Sequence, residues 1–184
     1  KPYIDILAGI PSVIYGFMGL LLVVKFFEKL GRPSGESVLA GGMVLSIMIL
    51  PFIVDNCEET MSKIRKKYES SSKVLGVSKW YMISELVVPA SKKSMVISMI
   101  LALARALGET MAVMMVIGNA PVFPTLLGKT QTISSLIALE MGMTEVGSTH
   151  YNALFASGLS LLIIILSINL LVEAIKKRYL GVEL

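Results

Sequence analysis

Residues 151–172 read YNALFASGLSLLIIILSINLLV and carry no charged side chain. A helix of about 20 apolar residues crosses the hydrocarbon core of a bilayer, so this stretch is long enough to be a membrane span. Hydrophobic residues make up 54% of the 184-residue chain and charged residues 16%. A soluble domain of this size normally buries less apolar surface, so the sequence predicts an all-α, polytopic membrane protein.

Three further apolar stretches complete the expected set of spans. They cover residues 4–27, 37–54 and 94–118, and the last is assigned as a span although it contains Arg105 and Glu109. Together with 151–172 they predict four transmembrane helices in a single domain over residues 1–184. No signal peptide precedes the first apolar stretch and the first residue is not methionine, so we expect the sequence to start inside a longer protein.

The basic residues predict the orientation of the spans. Eight of them lie in the segment 55–93, which the positive-inside rule places in the cytoplasm together with Lys1 and the basic tail 176–178. The outer side keeps Lys25, Lys29, Arg32 and Lys129. The net charge of +4 is therefore explained by the basic residues on the cytoplasmic side of the membrane. Nothing in the sequence indicates a nucleic-acid partner.

The segments between the spans carry their own predictions. In the outer segment 119–150, the apolar run 132–143 is too short to span and predicts a re-entrant or interfacial helix. In the cytoplasmic segment, Gly76 suits the positive φ that ends a helix and Ser78 suits the cap of the next, which predicts a helix, a turn and a helix. Its apolar residues, such as Trp80, either rest on the ends of the spans or dock on a partner.

Arg105 and Glu109 are four residues apart, which predicts one shared helical face directed at protein or water rather than lipid. One interpretation is a structural ion pair. The other is an oxyanion site, in which the Arg105 fork binds the anion and Glu109 accepts a hydrogen bond from protonated phosphate. Near the start of the chain, Pro11 and Ser12 either permit close helix packing or form a distorted turn that exposes backbone groups to a translocation path.

The cytoplasmic segment resembles the EAA loop of ABC importer permeases, because Gly76 is followed at the family's spacing by Leu86, Val88 and Pro89. Serines occupy the name-giving Glu-Ala-Ala positions, and Glu69 is displaced from them by one residue. In the family this loop forms the coupling helices that contact the ATPase. The resemblance implies that role for Glu69, Ser70, Ser71, Ser72, Leu75, Gly76, Trp80 and Pro89.

The string Arg105-Ala106-Leu107-Gly108-Glu109-Thr110 resembles phosphate-specific Pst permeases, and the PstC type more than the PstA type. The resemblance implies a type I, MetI-like permease core that lacks the first two of about six spans. It also implies a multi-pass protein of the cytoplasmic membrane that transports inorganic phosphate. The implied substrate path contains Arg105, Glu109, Thr110 and Ser12.

The implied partners are a cytoplasmic ATPase dimer, a PstA-like second permease, an extracytoplasmic phosphate-binding protein and membrane lipid. No cofactor, metal site or catalytic residue is expected. Gly128-Lys129-Thr130 lacks the upstream glycine of a phosphate-binding loop, so ATP hydrolysis is expected in a separate subunit. Three alternatives stay open: a permease for sulfate, molybdate or another solute, a non-transporting membrane scaffold, and, least favoured, an intramembrane hydrolase that would lack a second acid in its spans.

Overall fold

The structure is a computed structural model that describes residues 2–32 and 34–180. Within these residues the regular elements are helices, joined in two places by π-helical turns, Leu20–Val24 and Met82–Val87. This confirms the predicted all-α class. The helices are α1 (Pro2–Ala8), α2 (Ser12–Gly19), α3 (Lys25–Lys29), α4 (Val38–Val74), α5 (Lys79–Tyr81), α6 (Val88–Leu107), α7 (Met111–Met114), α8 (Ile133–Glu140) and α9 (Thr149–Leu180).

In the described part of the chain, three helices are long and apolar enough to cross a membrane: Val38–Val74, Lys79–Leu107 and Thr149–Ile175. The first predicted span, 4–27, is broken instead of continuous. Helix α1 ends at Ala8, and Pro11, with φ −58° and ψ 142°, is the extended residue before α2. Proline lacks an N–H group and its ring collides with the preceding turn, so the helix breaks here. The total of four crossings stays a prediction.

The third predicted span, 94–118, is also interrupted. Helix α6 ends at Leu107, with Gly108 after it, and the helix restarts only at Met111. The prediction that Arg105 and Glu109 share a helical face is therefore wrong. Glycine weakens a helix interior, and the Glu109 carboxylate binds a backbone N–H group of the next helix instead of continuing the first one.

Helix α4 continues well beyond the predicted span 37–54. Its polar half is supported by ion pairs one turn apart, Glu59 with Lys63 at 2.7 Å and Glu69 with Lys73 at 3.0 Å. After a tight turn the chain returns through α5 and α6, and α4 packs along α6. Helix α9 then packs against α6 and α8.

The core lies where α2, the following π-helical turn, α4 and α7 meet. The buried cluster consists of Val24, Phe27, Ala40, Val44, Ala112 and Val116. Buried Gly16 and Gly19 let α2 approach these neighbours, because a Cβ atom at Gly16 would lie 2.9 Å from the Ala112 Cα.

The N-terminal end of α4 is closed by the loop that follows α7. Val38 and Leu39 donate their backbone N–H groups to the carbonyls of Gly128 (3.1 Å) and Leu126 (2.9 Å). These bonds satisfy donors that a helix start leaves unpaired. Lys129 and Glu36 form an ion pair of 2.6 Å between the same two segments.

A short helix, α8, is present within the predicted run 132–143, and its re-entrant or interfacial location stays a prediction. Thr132 and Ser135 form a reciprocal capping box at its start. His150 lies with its Nε2 2.7 Å from the Glu140 carboxylate and so links α8 to α9.

Candidate translocation site and coupling surface

A small polar cavity lies where the break between α1 and α2 faces α4 and α6. Its volume is about 90 Å³, and its polar lining consists of Ser12, Tyr15, Asp55 and Arg105. The rest of the lining includes Ile10, Pro51 and Phe52. Two of the four predicted substrate-path residues, Ser12 and Arg105, therefore lie at one cavity although 93 positions separate them in the chain.

Arg105 is positioned by the last turn of α6. Its guanidinium carbon lies 5.1 Å from the centre of the Phe52 ring on α4, a distance at which the cation is attracted to the aromatic face. Among the side chains that the structure describes, no carboxylate lies within ion-pair distance of Arg105. Its planar fork of donors is thus available to an oxyanion.

The broken helix positions the other side of the cavity. Extended Pro11 starts α2 so that half-buried Ser12 lies in its first turn. The Tyr15 hydroxyl donates a hydrogen bond of 2.8 Å to the Leu7 carbonyl, and so ties α2 to α1 across the break. The chain is therefore distorted at Pro11 and Ser12, as one of the two interpretations expects, and the role of this turn in a translocation path stays a prediction.

Asp55 is the carboxylate that lines this cavity, and sequence reasoning missed it. The charge-free stretch stops before Asp55, so the sequence assigns this residue to the cytoplasmic segment. The spacing along α4 is the signal that could have identified Asp55. It follows Phe52 by three residues, which places both side chains on one side of that helix.

Glu109 and Thr110 lie elsewhere, in the gap between α6 and α7. Glu109 Oε1 accepts a hydrogen bond of 3.2 Å from the Ala112 N–H group, and the Ser134 hydroxyl donates to the Glu109 carbonyl at 3.0 Å. The Thr110 hydroxyl donates to the Gly108 carbonyl at 3.2 Å. Glu109 also lines a larger, mostly apolar cavity of about 560 Å³ beside α8 and α9. The four predicted residues thus divide between two places.

The turn of the cytoplasmic segment has the predicted geometry. Gly76 has φ +65°, and the Val77 and Gly76 N–H groups donate to the carbonyls of Ser72 and Lys73, which closes the end of α4. The Ser78 hydroxyl accepts a hydrogen bond from the Tyr81 N–H group and caps α5. The predicted helix, turn and helix are confirmed.

This turn presents an apolar tip, which we define as Val74, Leu75, Trp80 and Tyr81. Their side chains are between 55% and 86% exposed. Exposed apolar patches of this kind are typical of protein interaction sites. Of the motif serines, Ser70 and Ser71 are exposed and Ser72 is buried.

Glu69 lies on the same helix with its carboxylate between two basic side chains. It is 3.0 Å from Lys73 Nζ and 3.9 Å from Arg65 Nε. The hydrogen bond and charge of Lys73, followed by the charge of Arg65, lower the pKa of this carboxyl. Glu69 is therefore ionised at neutral pH, and its charge lies between these two basic side chains close to the tip.

Pro89 stands at the start of α6, directly after the π-helical turn Met82–Val87. A proline ring does not fit an ordinary helical turn, because it collides with the carbonyl four residues earlier. The widened turn is an arrangement that accommodates such a residue. Pro89 itself is exposed, whereas the ends of the turn, Met82 and Val87, are buried.

Comparison with known proteins identifies relatives over nearly the whole chain. The family described as binding-protein-dependent transport system inner membrane component matches residues 1–181. The probable ABC transporter permease protein YqgH of Bacillus subtilis is 39% identical over 97% of this chain and 58% of its own length. The phosphate transport system permease protein PstC of Xylella fastidiosa (strain Temecula1) is 36% identical over 88% of this chain and 56% of its own.

Other relatives include a PstC of Haemophilus influenzae, 34% identical over 88% of this chain and 57% of its own length. The chain thus spans a little over half the length of these curated relatives. No solved structure matches it. With its three long apolar helices, the match makes the chain a multi-pass protein of the cytoplasmic membrane, and it belongs to the family of binding-protein-dependent transport system inner membrane components.

Proposed function

We propose that this chain is the membrane-spanning part of a permease subunit in an ATP-driven, binding-protein-dependent importer of inorganic phosphate. The observation that carries the proposal is the cavity at which Arg105 and Ser12 meet. Its volume of about 90 Å³ is far below the roughly 300–1,000 Å³ of pockets that take drug-sized ligands. That space suits a small inorganic ion rather than a sugar or a peptide.

The chemistry of the cavity favours an oxyanion. The Arg105 guanidinium offers parallel donors that match two oxygens of one tetrahedral anion. The Ser12 hydroxyl can donate a further hydrogen bond from the opposite side. Several relatives are named phosphate transport system permease proteins, which supports phosphate as the anion.

Glu109 and Thr110 remain proposed members of the path at the gap between α6 and α7. An interrupted helix leaves backbone N–H and C=O groups unpaired, and such gaps are tolerated in membrane proteins where they line a cavity. In this proposal the gap lies next to the path and Arg105 binds the anion directly.

The apolar tip and Glu69 supply the proposed contact with the ATPase subunit. The tip is apolar and lies at the capped turn that joins α4 to α5 and α6, so it can transmit movement of a docked partner to α4 and α6. ATP hydrolysis belongs to that partner. A PstA-like permease and an extracytoplasmic phosphate-binding protein complete the proposed assembly.

Competition between oxyanions tests the substrate. Membranes that contain the full-length permease and its partners would be supplied with ATP and radiolabelled phosphate, and unlabelled sulfate or molybdate would be added in excess. We expect ATP-dependent phosphate uptake that neither competitor reduces. Uptake of labelled sulfate or molybdate in place of phosphate would favour the permease for another solute, and absence of uptake for all three would favour a non-transporting scaffold.

A further inference from the structure

The polar cavity contains a carboxylate as well as a cation. Asp55 and Arg105 line it from α4 and α6, and Ser12 lines it from α2. Within the described chain, neither Asp55 nor Arg105 is within ion-pair distance of an opposite charge, although they border the same small space. An anion-binding cavity with a free carboxylate requires an explanation, because like charges repel.

The explanation lies in the protons of phosphate. At neutral pH phosphate carries at least one P–OH group, whereas sulfate, which has nearly the same shape, carries none. An ionised carboxylate only accepts hydrogen bonds. It therefore stabilises an anion that brings a donor and repels an anion that lacks one.

We infer that Asp55 is the residue by which this cavity distinguishes protonated phosphate from fully deprotonated oxyanions. This inference rests on the proposed function and adds a selectivity determinant to it. Glu109 was the carboxylate expected in this role, but its Oε1 accepts from the Ala112 N–H group and its side chain borders the other cavity. Arg105 and Ser12 bind the anion, and Asp55 accepts the P–OH proton in a hydrogen bond.

Equilibrium binding tests the inference without transport. The full-length permease, purified with its partner permease, would be titrated with radiolabelled phosphate, and the bound label displaced by unlabelled phosphate, sulfate or fluorophosphate. Fluorophosphate keeps the phosphorus centre but has no P–OH group at neutral pH. In the native protein we expect sulfate and fluorophosphate to displace the label at least about 100-fold less effectively than phosphate, because a site built for a donor rejects an anion without one.

The variant Asp55→Asn removes the charge and adds an amide donor at nearly constant volume. We expect it to reduce the preference for phosphate over sulfate by at least about tenfold, which is the size of effect that a hydrogen bond to a charged group gives. The matched control is Glu59→Gln, because Glu59 lies one turn later on α4 and its carboxylate pairs with Lys63 outside the cavity. The control should keep the native preference.

Three results separate this inference from the function on which it rests. An unchanged preference in Asp55→Asn, with phosphate binding still lost in Arg105→Ala, would overturn the role of Asp55 and leave the site in place. Fluorophosphate that displaces the label as well as phosphate from the native protein would overturn it even if the variant failed to assemble. Phosphate binding that Arg105→Ala leaves intact would contradict the proposed site itself.

Discussion

At the scale of single residues, Gly16 sets how closely α2 approaches α7. A methyl group there would lie 2.9 Å from the Ala112 Cα and from the Met115 sulfur. We expect Gly16→Ala to lower the free energy of unfolding of the full-length protein in detergent by roughly 1–3 kcal/mol, because well-packed interiors do not accept an added carbon without strain.

The control for that substitution is Gly42→Ala. Gly42 is also in a helix, but no atom lies within 4 Å of a Cβ placed there. Since alanine favours a helix over glycine by about 1 kcal/mol, this variant should be neutral or slightly stabilised. Equal losses in both variants would show that the contact between α2 and α7 is looser than described.

Glu109 offers a second test at this scale, because its observed contact is structural. The carboxylate oxygen accepts from the Ala112 N–H group, and a glutamine oxygen could accept the same bond. We expect Glu109→Gln to retain stability, and Glu109→Ala to lose about 1 kcal/mol, the usual cost of a lost cap. Phosphate uptake that falls in Glu109→Gln at unchanged stability would instead favour a direct role in the substrate path.

Residue types indicate Ser12 and Arg105 of the polar cavity lining, but not Tyr15 or Asp55. An arginine in an apolar stretch and a serine beside a proline are unusual enough to be noticed in the sequence. Asp55 is not unusual by its position, because it directly follows an apolar stretch and charged residues are common at the ends of such stretches. Asp55 borders the cavity because the break at Pro11 places α1 and α2 against that side of α4, and this long-range contact is not encoded in the local sequence around Asp55.

At the scale of elements, the cytoplasmic turn was predictable because its determinants are local. A glycine with φ +65° and a serine cap act over a few residues. The continuity of the apolar helices was less predictable. Hydropathy identifies a stretch of sufficient length, but it does not report that Pro11 or the Gly108–Thr110 gap interrupts it.

The exposed tip leads to a prediction for coupling. Trp80 is 78% exposed, so truncation should hardly change the stability of the permease. We expect Trp80→Ala to weaken co-purification of the ATPase subunit at least about fivefold, because exposed tryptophans at interfaces often contribute more than 1 kcal/mol to binding.

The control variant for coupling is Val146→Ala. Val146 is 84% exposed in the segment between α8 and α9, which the predicted topology places on the outer side of the membrane. This variant should retain the ATPase. Unchanged ATPase binding in Trp80→Ala would indicate that the tip rests against lipid or the ends of the spans.

At the scale of the whole molecule, the chain is a set of membrane helices, and the break between α1 and α2 borders a small polar cavity. Helices α4, α6 and α9 have the length and apolarity of spans, and many of their large side chains are exposed. Such surfaces are suited to lipid or to neighbouring helices. The proposed anion cavity lies between the broken first helix and the α4 and α6 pair.

The most direct measurement is the initial rate of phosphate uptake by membranes that contain the full assembly at matched expression. The comparison is between the native protein, Arg105→Ala and the control Arg32→Ala, which removes an exposed arginine outside the helices. We expect a fall of at least about tenfold in Arg105→Ala, since a charged hydrogen-bond partner is lost, and a native rate in Arg32→Ala. A native rate in both variants, with the assembly intact, would contradict the proposed role of Arg105.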